Sequence, residues 1–599
     1  MDFKLIKNFL GYRSKSDPTN LDPRYLVSGS QNVLLNEQEQ VATRGGYTLD
    51  GASNSALTPI RSSFDWETQR GGERNIRVYD DELEVRFVDA DGDINWVRIL
   101  DAWSTTALFS FTTWWDTTEN LEVLLFVIGT DVIYEWSGGV AEVDSTTANT
   151  ITKKGTTTWA QEGFYTTGNK TILINGTVYT YTGGETTTAL TGVTPDPTGE
   201  ASGSFATQQI RTRDNEPADG WVNDFIKTNE NQLFIGSRVV NEVYVSKNTD
   251  YTDFSFSSPR VSGEGQLLVL DSKCRGFGVL NKEMIIFAGN SDVYKTLYQQ
   301  ITVSTTLAET FTLKKLNAGV RQGAIHSEMI TEMGTFLVYV SNEPALRVLS
   351  RVEELESPTL ESWSDPIKTD FDSEDFTNGH IKYNKNRILI TAPNNTRLYI
   401  LQIVEDESGK TRRFWQPPQI LPFRRLANFD GDLYGHSNGV PETYKAFDGT
   451  NDNGGSMLAR AKFAYRNFGK WLVYKRFNLM GVIGYIASNT TLTVKSLYNF
   501  DGFTQTLEKD IVGTDEDILF QPLESGSLGD NPLGDAPLGD QPNAVSTLPR
   551  FITKLSFLGK DFFELQTIFE TNDTDQQWIL SAFGPQIMES LQKPIKIKK

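Results

Sequence analysis

Three histidines, one cysteine and a surplus of carboxylates are the residues of this chain able to do chemistry. His326, His380 and His436 stand more than fifty residues apart and outside any short ligand motif such as His-Glu-x-x-His. Cys274 is the only cysteine. No intrachain disulfide can form, and local sequence assembles no zinc site. Each histidine reads as a packing or surface residue. His436, in the turn-like stretch Tyr434-Gly435-His436-Ser437-Asn438-Gly439, reads as the exposed one. Cys274 reads as a small buried apolar side chain on a strand. Neither a Gly-x-Ser-x-Gly elbow nor a phosphate-binding Gly-x-x-x-x-Gly-Lys loop occurs, and Gly276-Phe277-Gly278 precedes a strand, the wrong context for a phosphate loop.

The carboxylates offer weaker signals. Asp91-Gly92-Asp93-Ile94-Asn95-Trp96 is superficially like a sialidase aspartate box, but the Asp-to-Gly spacing is wrong and the motif does not recur. Asp530, Asp535 and Asp540 could offer oxygen ligands to calcium, yet calcium loops place carboxylates at alternate positions and these stand five apart with proline between them. They read as a solvated loop. Trp114-Trp115 is a candidate sugar platform or partner contact. The cationic end of the chain, with Lys593, Lys596, Lys598 and Lys599, is a candidate contact for an acidic neighbour or for passing DNA. No catalytic residue, cofactor or metal is expected, and the chain is not expected to be an enzyme.

These residues must be carried by strands. The chain has 599 residues, 38% hydrophobic and 11% aromatic, enough for two or three domains with ample cores. Thr, Val, Ile, Tyr, Phe and Gly dominate its patterned stretches, so a mainly β protein with little helix is expected. Between Leu121 and Asp448 a loop residue, a short apolar run, a turn and a hydrophobic-Tyr pair recur about every fifty residues. The marks fall at Tyr134, Tyr179, Tyr244, Tyr294, Val348, Tyr399 and Tyr444. Such a period predicts a β-propeller of six to eight blades over residues 61–450. Two alternating runs, 78–88 and 94–100, predict a further blade-like hairpin before the clear repeats. The Thr/Gly-rich stretch near 183–203 predicts an exposed insertion that widens one period.

Residues 1–60 predict a polar arm, suited to exchange with a neighbour, and a hairpin ending in Arg44-Gly45-Gly46-Tyr47, where glycine would allow chain reversal. Residues 451–599 carry longer strands without the fifty-residue period and predict an antiparallel β-sandwich, interrupted by a Leu-Gly-Asp loop at 527–540 and ending in the basic tail.

The net charge of −21 is spread along the chain. Such a surface repels polyphosphate, so tight nucleic-acid binding by counterion release is not expected, while a negatively lined passage would let DNA slide without sticking. The opening residues carry no apolar signal stretch, and no run of about 18 apolar residues occurs, so folding in a reducing cytoplasm without a membrane span is expected.

Several patches carry a resemblance. Leu21-Asp22-Pro23, Ser28 to Val33 and Thr43-Arg44-Gly45-Gly46-Tyr47 look like the opening of structural proteins from tailed bacteriophages. Asn241 to Lys247 with Asp250 to Phe254 resembles a blade motif of the same proteins, and Tyr444 to Asp452 with Lys475-Arg476-Phe477 is similar to their exit from the propeller. The Leu-Gly-Asp repeats and the stretch from Gln576 to Pro585 also fit. The family so resembled is the tail hub or nozzle proteins of short-tailed phages, also called tail tubular protein B. The resemblance implies a ring of six subunits beneath the portal and adaptor, in contact with other tail proteins and tail fibres, through which viral DNA is ejected. It places the protein in the virion tail after assembly in the host cytoplasm. A receptor- or glycan-binding tail propeller and a polysaccharide-degrading propeller enzyme are the alternatives.

Overall fold

The computed structural model describes residues 5–589 except 37, 55, 69–71, 101–103, 106–107, 118, 169, 215–220, 258–262, 304–305, 317–321, 351–358, 406–410, 467–474, 501–502, 514–518, 522–549 and 563. Antiparallel strands dominate, and Lys368–Asp372 is the single α-helix among the described residues.

Seven consecutive antiparallel sheets of four strands, the sixth with a short extra strand, make up most of the chain. They span 62–100, 110–136 with Arg211–Asp214, 225–269, 274–316, 330–362, 381–420 and 423–446. The fourth strand of the seventh sheet is Tyr47–Leu49, paired to Thr443–Ala446 from the far end of the series. From the second sheet to the seventh, the opening strand of each packs on that of the next, and the seventh packs on the first. The first meets the second through the stacked rings of Phe64 and Phe111, 5.4 Å apart, and the edge contact of Trp66 with Trp136. The series is closed.

The sequence repeat corresponds to the second and third strands of a sheet. Tyr134, Tyr244, Tyr294, Val348, Tyr399 and Tyr444 all lie on third strands. The loop residue that opens three of the copies has a physical basis: Glu230-Asn231, Asn281-Lys282 and Lys385-Asn386 have positive φ at both positions. That is the backbone of a two-residue type I′ hairpin, whose twist matches the strands it joins. The run taken as 78–88 is two strands, broken at Asp80, where φ is +44°.

Tyr179 belongs to something else. Residues 140–208, between the third and fourth strands of the second sheet, form a separate six-stranded sheet. Its core includes Trp159, Phe164, Ile172, Ile174 and Leu190, each 0% exposed. The Thr/Gly-rich stretch is thus part of a packed unit and not only an exposed loop. In its strand Ala189–Thr191 the inward residue is Leu190, and Thr191 is exposed.

Two further sheets face each other across one core. One joins Val33–Leu35, Val41–Thr43, Trp578–Glu589, Lys475–Ile486, Arg550–Phe562 and Leu519–Gln521; the other joins Met457–Lys462, Glu564–Asp573, Thr491–Phe500 and Phe503–Val512. Their core continues into the fifth and sixth sheets through Val338, Ile388 and Trp415. The N-terminal segment, expected as a polar arm, is built into this core. Ile6 bridges Phe583, and Phe9, fully buried, packs against Phe463 and Phe583 at 5.0 and 6.2 Å. Two apolar anchors outweigh the polar residues between them.

Candidate interaction sites

Trp114 and Trp115 are neighbours on the first strand of the second sheet, so their side chains leave opposite faces. Trp114 is 5% exposed and meets Tyr251 edge-on at 5.4 Å, whereas Trp115 is 39% exposed. They cannot form one sugar platform. Trp114 does line a cleft of about 840 Å³, where the second sheet, the insertion at Gly168 and the loop at Thr249 to Thr252 converge.

Glu135 is the pivot of that junction. It is fully buried on the third strand of the second sheet. Its Oε1 accepts the Tyr165 hydroxyl at 2.6 Å and the Arg211 guanidinium at 3.1 Å; its Oε2 accepts the Tyr251 hydroxyl and Arg213 at 3.3 Å. Arg211 lies 3.7 Å over the Tyr165 ring and reaches Glu119 at 3.1 Å. Glu119 in turn accepts the backbone N–H and hydroxyl of Thr167. Burial, and then the Glu135 charge, push the Tyr165 and Tyr251 phenols upward, so both stay protonated donors. With both oxygens engaged, Glu135 has no free lone pair for a substrate proton. It acts as a clamp between sheet, insertion and loop. Sequence reasoning missed it because its partners lie 30, 76, 78 and 116 residues away, with no local signal.

The histidines are brought together. His326, His380 and His436 each feel the positive charge of Arg425. His436, expected to be exposed, is fully buried: its ring meets Trp96 of the first sheet at 6.1 Å, and its Nδ1 lies 2.9 Å from the Thr443 hydroxyl. The stretch that reads as a turn is the end of a strand pressed against the neighbouring sheet. Burial lowers all three histidines, so they are neutral at pH 7. Cys274 is buried, and burial raises its thiol to about 12. No group of three metal-ligating side chains occurs among the described residues.

Where the opening strands converge, ion pairs reach past an intervening sheet. Lys382 of the sixth sheet binds Asp65 of the first, and Lys227 of the third binds Glu332 of the fifth at 2.8 Å.

The fourth sheet extends far beyond its neighbours. Asp292–Val303 and Thr306–Leu316 form a long hairpin, but the second strand of the sheet pairs only as far as Lys295. At Phe311 the backbone is held by the amide of Gln266, which donates at 2.6 Å and accepts at 2.8 Å. Beyond that clamp five further residue pairs, Gln299↔Thr310 to Val303↔Thr306, continue with no third strand among the described residues. They reach about 17 Å past it.

Asp530, Asp535, Asp540, Lys593, Lys596, Lys598 and Lys599 lie outside the described residues. No helix among the described residues is long and apolar enough to cross a membrane. A scan against protein-family models finds no match to this chain, and a search of curated proteins finds none either.

Proposed function

We propose that the seven sheets are the blades of a β-propeller and that the protein is a non-enzymatic structural subunit of a short-tailed phage tail. It would form a ring, of six copies on the resemblance, beneath the portal and adaptor, in a virion assembled in the host cytoplasm. The hairpin of the fourth sheet carries the reading. Isolated two-stranded hairpins are marginal in water, and the outer part of this one has no neighbouring strand at either edge among the described residues. Such an element gains stability when a neighbouring chain adds to its edge or lies along it. The packed N-terminal segment and the Glu135 clamp supply the stiffness a ring wall requires. On this reading the conduit for DNA is the opening enclosed by the ring of copies.

The test is assembly of the full chain beside a variant in which residues 299–310 are replaced by a short Gly-rich turn. Light scattering and negative-stain microscopy are expected to find rings for the full chain and a folded monomer for the variant. A full chain that stays monomeric, in tail extracts as well as alone, removes the reading.

The Trp114 cleft favours a second one, glycan binding, because Asp116, Arg213 and Asp250 surround its aromatic floor. Glycan-array binding lost on Asp116→Ala with Arg213→Ala would support it; equal binding by that variant would count against it.

A further inference from the structure

A cavity of about 860 Å³ opens where six of the seven sheets converge, and its wall is cationic although the chain is strongly acidic. Arg238, Lys273, Arg275, Arg424 and Arg425 line it, with Glu328 as the one carboxylate among its lining residues. The compensation is incomplete. Glu328 lies 3.9 Å from the Nε of Arg425 and 3.6 Å from the Nε2 of His380, and Asp224 stands 3.9 Å from Arg238. Arg275 donates to the Ile325 carbonyl at 3.0 Å and to Asn290 at 2.9 Å, neither of them anionic. Arg424 donates to Asn378 at 3.1 Å and Arg425 to the Asn378 carbonyl at 2.7 Å. The side chain of Arg425 is 3% exposed, and the Nε of both arginines is buried without a hydrogen-bond acceptor. Cationic charge held in a largely buried wall with one carboxylate beside it is costly, and an anion bound in the cavity would offset that charge.

The cavity has an apolar side as well. Phe225 of the third sheet lines it, with Phe109 and Ile325 from the segments leading into the second and fifth. Its volume is that of a small-molecule site.

We propose that this cavity binds an organic oxyanion, a phosphate or carboxylate group attached to an apolar body. The Arg424–Arg425 pair and Lys273 would hold the oxyanion, and Phe109 and Phe225 the body. Burial, with repulsion from Arg425 and Arg61, lowers Arg424 to about 10 although Glu328 opposes the shift, as expected of cations that outnumber their counterions. This site is independent of the ring reading, since a monomer contains all of it.

Isothermal titration of the full chain with phenyl phosphate, benzoate, inorganic phosphate and phenol tests it. Phenyl phosphate or benzoate is expected to bind saturably at one site, the tighter of the two identifying the oxyanion, with inorganic phosphate weaker and phenol silent. Arg424→Gln and the exposed Lys273→Gln, which circular dichroism should find folded, are each expected to weaken binding about tenfold, the scale of one charge-assisted hydrogen bond. No saturable binding of either aromatic anion at millimolar concentration, or unchanged affinity in Lys273→Gln, overturns the proposal.

Discussion

The guanidinium of Arg44 holds the carboxylate of Asp452 through two hydrogen bonds of 2.7 Å, joining residues 408 positions apart. Arg44 is fully buried, and its remaining donors reach Asn32 Oδ1, the Gly45 carbonyl and the Ile420 carbonyl. All five N–H groups are satisfied, a fork that lysine cannot reproduce. The pair sits beside the strand that completes the seventh sheet. Gly45 and Gly46 complete the lock: a Cβ on Gly46 would stand 1.7 Å from the Asn451 carbonyl oxygen, and one on Gly45 2.4 Å from that of Phe447. Both glycines serve close approach of two backbones, and neither has positive φ.

Arg44→Ala should therefore cost about 3–5 kcal/mol, the range for breaking a buried pair, since Asp452 and three other acceptors lose their donor. Arg44→Lys should fall between that and the wild type. Urea unfolding midpoints measure both; a loss within experimental error for Arg44→Ala would mean that the seventh sheet closes without this pair.

The sequence carried the strand-turn-strand units because their signals are local. Asn231, Asn281 and Asn386 mark left-handed turns into second strands, and Tyr134 or Tyr399 marks a third strand. The closure by Tyr47–Leu49 was not legible, since three residues pair with a strand nearly four hundred positions away and leave no periodic trace. Tyr179 misled for a related reason: Thr171–Ile174 and Thr177–Thr180 form a hairpin like those of the repeat but pair within the insertion. His436 was misread because glycines on either side imitate a turn. Gly435 is there for packing, as its Cβ would lie 2.3 Å from the Phe423 ring.

Lys282→Gly should stabilise the protein by up to about 1 kcal/mol, because φ is +68° at Lys282 and asparagine-glycine is the preferred pair for a type I′ turn. The Lys282 ammonium pairs with Glu230 at 3.4 Å but is 83% exposed, so little is lost with it. The carbonyl that accepts Asn229 at 2.9 Å is retained. A lowered thermal midpoint would contradict this account of the turn.

Glu135→Gln keeps the shape of the clamp and removes its charge. Arg211 and Arg213 then face a neutral amide, and the Tyr165 and Tyr251 hydroxyls lose a charged acceptor. A loss of about 3 kcal/mol is expected, as for other broken buried pairs. Because Tyr165 belongs to the insertion, the variant should also be cut faster by trypsin at Lys153, Lys154 or Lys170 than the wild type. Unchanged cleavage would show that the insertion is held by other contacts.

The three histidines make stability depend on pH in one direction. Burial lowers His326 from 6.5 to about 4, with further lowering by Arg425, Arg238 and Arg275, and His380 and His436 shift the same way under Arg425, Lys382 and, for His436, Arg77. Folded chains bind fewer protons at these rings than unfolded ones, so their contribution is complete above pH 6.5 and is lost as the pH falls through the folded values, about 4 for His326. Glu328, raised by burial and lying 3.6 Å from the His380 Nε2, acts in the opposite sense as it protonates. A variant separates the two. His326 lies 3.0 Å by its Nε2 from the Phe376 carbonyl, a contact that a glutamine amide can replace by donating. His326→Gln should thus lose less stability than the wild type between pH 7 and pH 5 while leaving Glu328 in place. Parallel losses in guanidinium unfolding at the two pH values would assign the acid sensitivity to other groups.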